Sequence, residues 1–130
     1  MLNASDAWSR KYADAAQKNG SEIWVTGLEG EAASFGQAFG AAHVLEAKQI
    51  EPSHRGMRFT LVCDQREFPV ELHALGTFNV ENALEAAAAA AACGHPIEKV
   101  VRALEALTPP PGRMQILSPM KCRSELWISA

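Results

Sequence analysis

Gly76-Thr77-Phe78-Asn79-Val80-Glu81-Asn82-Ala83-Leu84, followed by the run Ala86 to Ala92, decides how this chain is read. Glycine frees the backbone for a sharp turn, and alanine has the highest helix propensity. The stretch therefore marks a strand giving way to a long helix, over about Phe78 to Cys93. Thr77 or Asn79 can serve as N-cap by accepting the first unpaired N–H groups. The two asparagines stand three residues apart, on neighbouring positions of one helical face. Both cannot be the cap, so Asn82 is the better candidate for a task beyond local structure. A carboxamide holds a donor and an acceptor side by side and can pair with N6 and N7 of adenine.

Downstream, Gly94 closes this helix and His95-Pro96 opens the next, with proline in its favoured first turn. Ile97, Val100, Val101, Leu104 and Leu107 form one apolar face, opposite Glu98, Lys99, Arg102 and Glu105. Pro109-Pro110-Pro111-Gly112 stops that helix and makes a stiff spacer. A domain boundary is expected there, with residues 1–111 on one side and 112–130 on the other. Arg113 to Leu117 reads as the first strand of a unit that the chain does not complete. Arg113 sits beside a glycine at the hinge, where a guanidinium can meet phosphate oxygens or close a boundary salt bridge.

Upstream, Asn3-Ala4-Ser5-Asp6 reads as a helix start, with Ser5 or Asn3 as cap. Trp8, Tyr12 and Ala15 or Ala16 recur at helical spacing, and Asn19-Gly20 ends the segment. Glu22 to Thr26 is strand-like. Residues 28 to 42 are rich in Gly, Ala and Glu without a clear period, which predicts a loop holding a short helical piece. His43–Ile50, Gly56–Cys63 and Glu67–Leu75 alternate as strands, and the link Asp64-Gln65-Arg66 suggests a hairpin. Pro69 cannot donate a ladder hydrogen bond, so its strand belongs at an edge or a bulge.

The 130 residues are enough for one core. Hydrophobic content of 48% and charged content of 21% fit an ordinary globular domain. A net charge of −3, with no basic block, argues against a nucleic-acid surface. Apolar runs are short or made of alanine, so no membrane span is expected, and the N-terminus has no basic region followed by an apolar one, so no signal peptide is expected. Cys63, Cys93 and Cys122 are widely spaced, which fits reduced thiols in a cytoplasm better than disulfides or zinc. His43, His54, His73 and His95 fall in separate segments. No G-x-x-x-x-G-K-[ST], G-x-S-x-G or H-E-x-x-H occurs.

At its central stretch the sequence resembles a family. Gly76 to Leu84, a helix ending at Gly94, a second helix and Pro111-Gly112-Arg113-Met114 follow the pattern G-x-[FH]-N-x-x-N-x-L-x-A and then P-G-R-[MF] of the Mur ligases of peptidoglycan synthesis. Phe78 before the first asparagine, together with P-G-R-M, resembles the member that adds the third amino acid, diaminopimelate or lysine. Leu2-Asn3-Ala4-Ser5-Asp6 resembles the family's N-A-D-D stretch, with Ser5 in place of the first Asp.

The resemblance implies an α/β fold, the second half of a central ATP-binding domain: short, mostly antiparallel strands followed by two packed helices. It implies that Asn82 contacts adenine, that Asn79 supports that site or caps the helix, and that Arg113 approaches the nucleotide. ATP and Mg²⁺ are then cofactors of a larger cytoplasmic ligase acting on UDP-MurNAc-dipeptide. The phosphate loop, the Mg²⁺ ligands and the muramoyl-binding domain are expected before residue 1, and the amino-acid pocket beyond Leu117. Residues 118–130 depart from the family pattern, which suggests a truncation, a shifted reading frame or a cloning scar. An incompletely covered apolar sheet face and self-association through it are expected. Two competing readings are a stand-alone, non-catalytic adenine-nucleotide or protein-binding module, and a cyanophycin-synthetase-like ligase.

Overall fold

The computed structural model describes residues 1–108, 115–116 and 128–129. In chain order it holds β1 (Leu2–Asn3), α1 (Ser9–Lys18), β2 (Trp24–Leu28), α2 (Glu31–Phe39), β3 (His43–Ser53), β4 (Gly56–Cys63) and β5 (Arg66–Leu72). Then come α3 (Thr77–Ala92) and α4 (Ile97–Ala106). Gln115–Ile116 (β6) and Ile128–Ser129 (β7) pair antiparallel, so the strand read near Leu117 does find a partner. The boundary placed at 111 and 112 lies outside the described residues.

One sheet runs β1-β2-β3-β4-β5 and is mixed. β1, β2 and β3 are parallel, whereas β3, β4 and β5 are antiparallel. The mostly antiparallel expectation thus describes the β3–β5 half. The other half is parallel because α2 carries the chain from β2 back to the start of β3, as a parallel crossover requires. The hairpin closes through Asp64 and Gln65, both with positive φ (48° and 71°), as a tight two-residue turn demands. β5 is an edge strand, which accommodates Pro69. β3 runs past Ile50 to Ser53 through an irregularity between Lys48 and Glu51, where Gln49 adopts φ 53°.

Side chains alternate across a strand, and here the two sheet faces feed two cores. On one face, Leu45, Ala47, Phe59, Leu61 and Val70 meet Val80, Leu84 and Ala87 of α3 and Val101 and Leu104 of α4. The alanines of α3 let the helix settle close to the strands, and burial raises the Cys63 thiol above its ordinary range. On the other face, Val25 and the half-buried Val44 pack with Ala13 of α1 and Ala32 and Phe35 of α2. That second layer stops at β3. The remaining strip of sheet is mostly polar, carrying exposed Lys48, Arg58 and Glu67 and half-buried Thr60 and Glu71 beside exposed Pro69 and half-buried Val62.

Several local expectations are corrected. Residues 28–42 hold a nine-residue helix, α2, rather than a loop with a short helical piece. Its start is fixed from outside: Glu46, 3% exposed, accepts the Gly30 N–H through Oε1 and supplies the negative charge that a helix N-terminus favours. At the N-terminus, Asn3 is a strand residue and no helix cap. Its Oδ1 accepts from the Ser5 N–H (3.0 Å) and Oγ (2.6 Å), and α1 begins only at Ser9. The buried side of α1 is Ser9 and Ala13, with Ala16 packed beside them, whereas Trp8 and Tyr12 remain 60% and 61% exposed. Leu107 lies beyond the end of α4 and is 56% exposed, so it is not part of that helix's buried face.

Candidate functional site at the start of the third helix

The turn into α3 depends on Gly76, which stands at the N-cap position with φ 95° and ψ 143°. A Cβ there would come within 2.6 Å of the Phe78 ring, which folds back over the glycine. Among the described residues no side chain caps the helix. Thr77 and Asn79 both lie inside it, which corrects their assignment as N-caps. Asn79 works in the opposite sense: its Nδ2 donates to the Leu75 carbonyl at 2.7 Å, and the side chain is half-buried. A cap would accept N–H groups, whereas this amide ties the first turn to the bend that links β5 to α3. Asn79→Ala should cost about 1 kcal/mol of stability through that lost bond. Urea unfolding checks this, and an unchanged midpoint would show that the tie contributes nothing.

Asn82, one turn on, is exposed. Among the hydrogen bonds of the described residues, none engages its carboxamide. Both its donor and its acceptor are thus available to a ligand. Glu85, three residues further on, is half-buried and accepts from Asn3 Nδ2 at 3.0 Å. This contact joins the two stretches that carry the resemblance, Leu2–Asp6 and Gly76–Leu84, at the carboxyl end of β1. Ligands of open α/β sheets gather outside the carboxyl ends of strands. Neither Glu85 nor its bond to Asn3 was anticipated. The only sequence signal was the three-residue spacing from Asn82, which puts Glu85 on the neighbouring position of the same face.

Arg113 lies outside the described residues, so its place relative to Asn82 is not described. A second feature gathers at the opposite, amino ends of β2 and β3. There the His43 ring stacks on Trp24 (centroids 4.0 Å apart) and meets Asp64 Oδ2 at 2.6 Å and Glu22 Oε1 at 3.4 Å. Asp64 also accepts the Val44 N–H at 3.0 Å, so this group pins the β4–β5 turn to the start of β3. Among the described residues no group of three or more His, Cys, Asp or Glu side chains could hold a metal ion. No helix among them is long and apolar enough to cross a membrane.

Residues 1–90 match the family described as Mur ligase middle domain. The UDP-N-acetylmuramoyl-L-alanyl-D-glutamate–2,6-diaminopimelate ligase of Agrobacterium fabrum is 30% identical over 121 residues, covering 93% of this chain and 22% of that protein. The UDP-N-acetylmuramoyl-L-alanyl-D-glutamate–L-lysine ligase of Staphylococcus aureus (strain COL) is 34% identical over 73 residues, covering 56% of this chain and 15% of that protein. The chain thus spans about a fifth of the length of the curated relatives it matches. Among solved structures, the UDP-N-acetylmuramoylalanyl-D-glutamyl-2,6-diaminopimelate–D-alanyl-D-alanyl ligase of Acinetobacter baumannii superposes with a TM-score of 0.70. At 23% identity, over 92% of this chain and 24% of that one, it shows a shared fold. With 90 of its 130 residues matched to the middle domain, the chain belongs to the Mur ligase family.

Proposed function

We propose that this chain is part of the ATP-binding central domain of a cytoplasmic amide-forming ligase. That ligase adds the third amino acid, diaminopimelate or lysine, to UDP-MurNAc-L-Ala-D-Glu. The observation that carries the reading is the start of α3, where Asn79 is tied to the Leu75 carbonyl and Asn82 is exposed, with no hydrogen-bond partner among the described residues. An amide in that position fits the edge of adenine, donating to N7 and accepting from the N6 amino group. ATP binding is therefore assigned to Asn82 as the contact and to Asn79 as the residue that holds the turn beneath it. Arg113, at the hinge, is assigned to the nucleotide on the motif alone.

The residues described here do not fit a Mg²⁺ site, so Mg²⁺ and the phosphate-binding loop belong, in this reading, to other parts of a longer ligase. The same holds for the pocket for UDP-MurNAc-dipeptide. Residues 1–111 are the central-domain portion and 112–130 the hinge region. The names of the relatives, one specifying diaminopimelate and one L-lysine, support the third-residue step and do not choose between the two amino acids. Neither nucleic acid nor a membrane is a partner. The chain also self-associates through sheet surface that its own helices leave open.

The purified chain is expected to show no ligase and no ATPase activity. The sequence offers no loop of backbone N–H groups with a lysine to stabilise charge on a transferring phosphoryl group. Phosphate release from Mg²⁺-ATP is the measurement. Turnover that survives repurification and follows the chain through it would overturn the assignment.

A further inference from the structure

Asn82 alone does not decide which purine the start of α3 takes. A carboxamide carries a donor and an acceptor on one rotatable bond. It can turn and offer its NH₂ to a keto oxygen, or keep its oxygen against an amino group. An ionised carboxyl group has no proton to offer and only accepts. Glu85 supplies such a group three residues beyond Asn82, on the neighbouring position of the same face of α3.

Glu85 is held from outside its own helix. Its Oε1 accepts from Asn3 Nδ2 at 3.0 Å. The Asn3 amide cannot turn over, because its Oδ1 already accepts from the Ser5 N–H at 3.0 Å and from Ser5 Oγ at 2.6 Å. Asn3 belongs to β1, where it stands opposite Thr26 of β2, so the whole support is built into the sheet. Glu85 is thereby half-buried with one oxygen committed. Among the described residues nothing donates to the other oxygen, Oε2. Glu81, also half-buried and one turn earlier, has no such tie among the described residues. A group fixed before its ligand arrives loses little freedom on binding, and it cannot adapt to the wrong one.

We propose, on the reading of Asn82 as the adenine contact, that Glu85 determines the choice of a purine with an exocyclic amino group over one with a keto oxygen. The adenine N6 group carries two hydrogens. The hydrogen on the N7 side goes to the Asn82 oxygen, and the hydrogen on the N1 side goes to Glu85 Oε2. Guanine and hypoxanthine place a keto oxygen at the same point and have no hydrogen to give. Oε2 then stands oxygen to oxygen with the base, and it cannot swing aside while Oε1 stays with Asn3. Such a fixed repulsive element separates ligands of nearly the same shape, which attraction alone does poorly.

Titration of ATP and of inosine triphosphate into a Mur ligase that carries this segment tests the assignment, because the two bases differ only at that exocyclic group and the adjoining ring nitrogen. The wild type should bind ATP about a hundredfold more tightly, and Glu85→Gln should cut that preference about tenfold. Glutamine keeps an oxygen for Asn3 Nδ2 and puts a donor where Oε2 was. The lost charge acts on both triphosphates alike and cancels in the ratio. Glu81→Gln, the same change of charge one turn away, should leave the ratio as it is. Circular dichroism melts identify any variant that has failed to fold. A ratio unchanged in Glu85→Gln, while Asn82→Ala still weakens ATP, would overturn the role of Glu85 and leave the adenine contact standing. An equal fall in Glu81→Gln would overturn it too, by making net charge the cause. Equal affinity of the wild type for both triphosphates would overturn it without any variant. An ATP dissociation constant that Asn82→Ala leaves unaltered would instead overturn the adenine contact itself.

Discussion

Leu84→Ala is expected to lower stability by about 3–5 kcal/mol and the melting temperature by about 10–20 °C. Leu84 has no exposed surface and sits in the larger core with Leu45, Leu61, Phe59 and Val70. The neighbouring buried positions of α3 are Val80, Ala83, Ala87 and Ala88, all short side chains that cannot swing into the space left behind. The residual cavity therefore adds to the lost transfer free energy. Leu107→Ala, at an exposed position, should change stability by no more than about 0.5 kcal/mol. Urea denaturation of the two variants gives the comparison. A loss below about 1 kcal/mol for Leu84→Ala would mean that α3 is not seated on the sheet as described.

Gly56→Ala should cost about 3 kcal/mol or more, by a different route. Gly56 opens β4 with φ 151°, and a Cβ there would fall 2.0 Å from the Leu72 carbonyl oxygen and 2.7 Å from the Ala74 amide nitrogen. Both obstacles are backbone, so no rotamer change relieves them. β5 would have to move away at the point where the chain leaves it for α3. The overpacking and the strained φ each contribute on the order of 1–3 kcal/mol. Equilibrium unfolding should show the loss together with intact secondary structure at low denaturant. Wild-type stability in Gly56→Ala would contradict the close pairing of Gly56 with Ser53 and with the end of β5.

These sites divide into those that the sequence reveals and those that it hides. The β4–β5 hairpin was legible because its strands alternate and a short polar link, read as Asp64-Gln65-Arg66, joins them; in the structure Arg66 already pairs with Cys63. α3 and α4 were legible because an alanine run and a heptad-like apolar face are local signals, bounded by Gly76, Gly94 and Pro96. α2 was not. Its buried residues are Ala32, Phe35 and Gly36, and two of these are too small to stand out from their neighbours. What holds its start is Glu46, a residue from a later strand. The face of α1 was misread for a related reason. Aromatic residues dominate a periodicity count, yet it is Ser9 and Ala13 that fit close against the sheet.

The site was partly legible. The motif singled out Asn82 and Asn79, and their different tasks follow from the structure, since one is exposed and the other is tied to the Leu75 carbonyl. The assumption that a helix-start asparagine accepts backbone N–H groups was misplaced, because Gly76 takes the cap position and turns the Asn79 amide towards the preceding carbonyl. The pairing of Asn3 with Glu85 bridges 82 residues of sequence, and no local signal could reveal it. Parallel pairing of β1 with β2 and β3 is non-local in the same way.

Calorimetric titration of ATP into a Mur ligase that carries this segment, with and without Asn82→Ala, tests the central claim most directly. The account predicts that Asn82→Ala raises the dissociation constant about ten- to a hundredfold, the loss of paired hydrogen bonds to a neutral partner, roughly 1–3 kcal/mol. The melting temperature of the nucleotide-free protein should barely change, because the side chain is exposed and no described residue depends on it. An unchanged dissociation constant together with a lowered melting temperature would contradict the account and make Asn82 a structural residue of the helix.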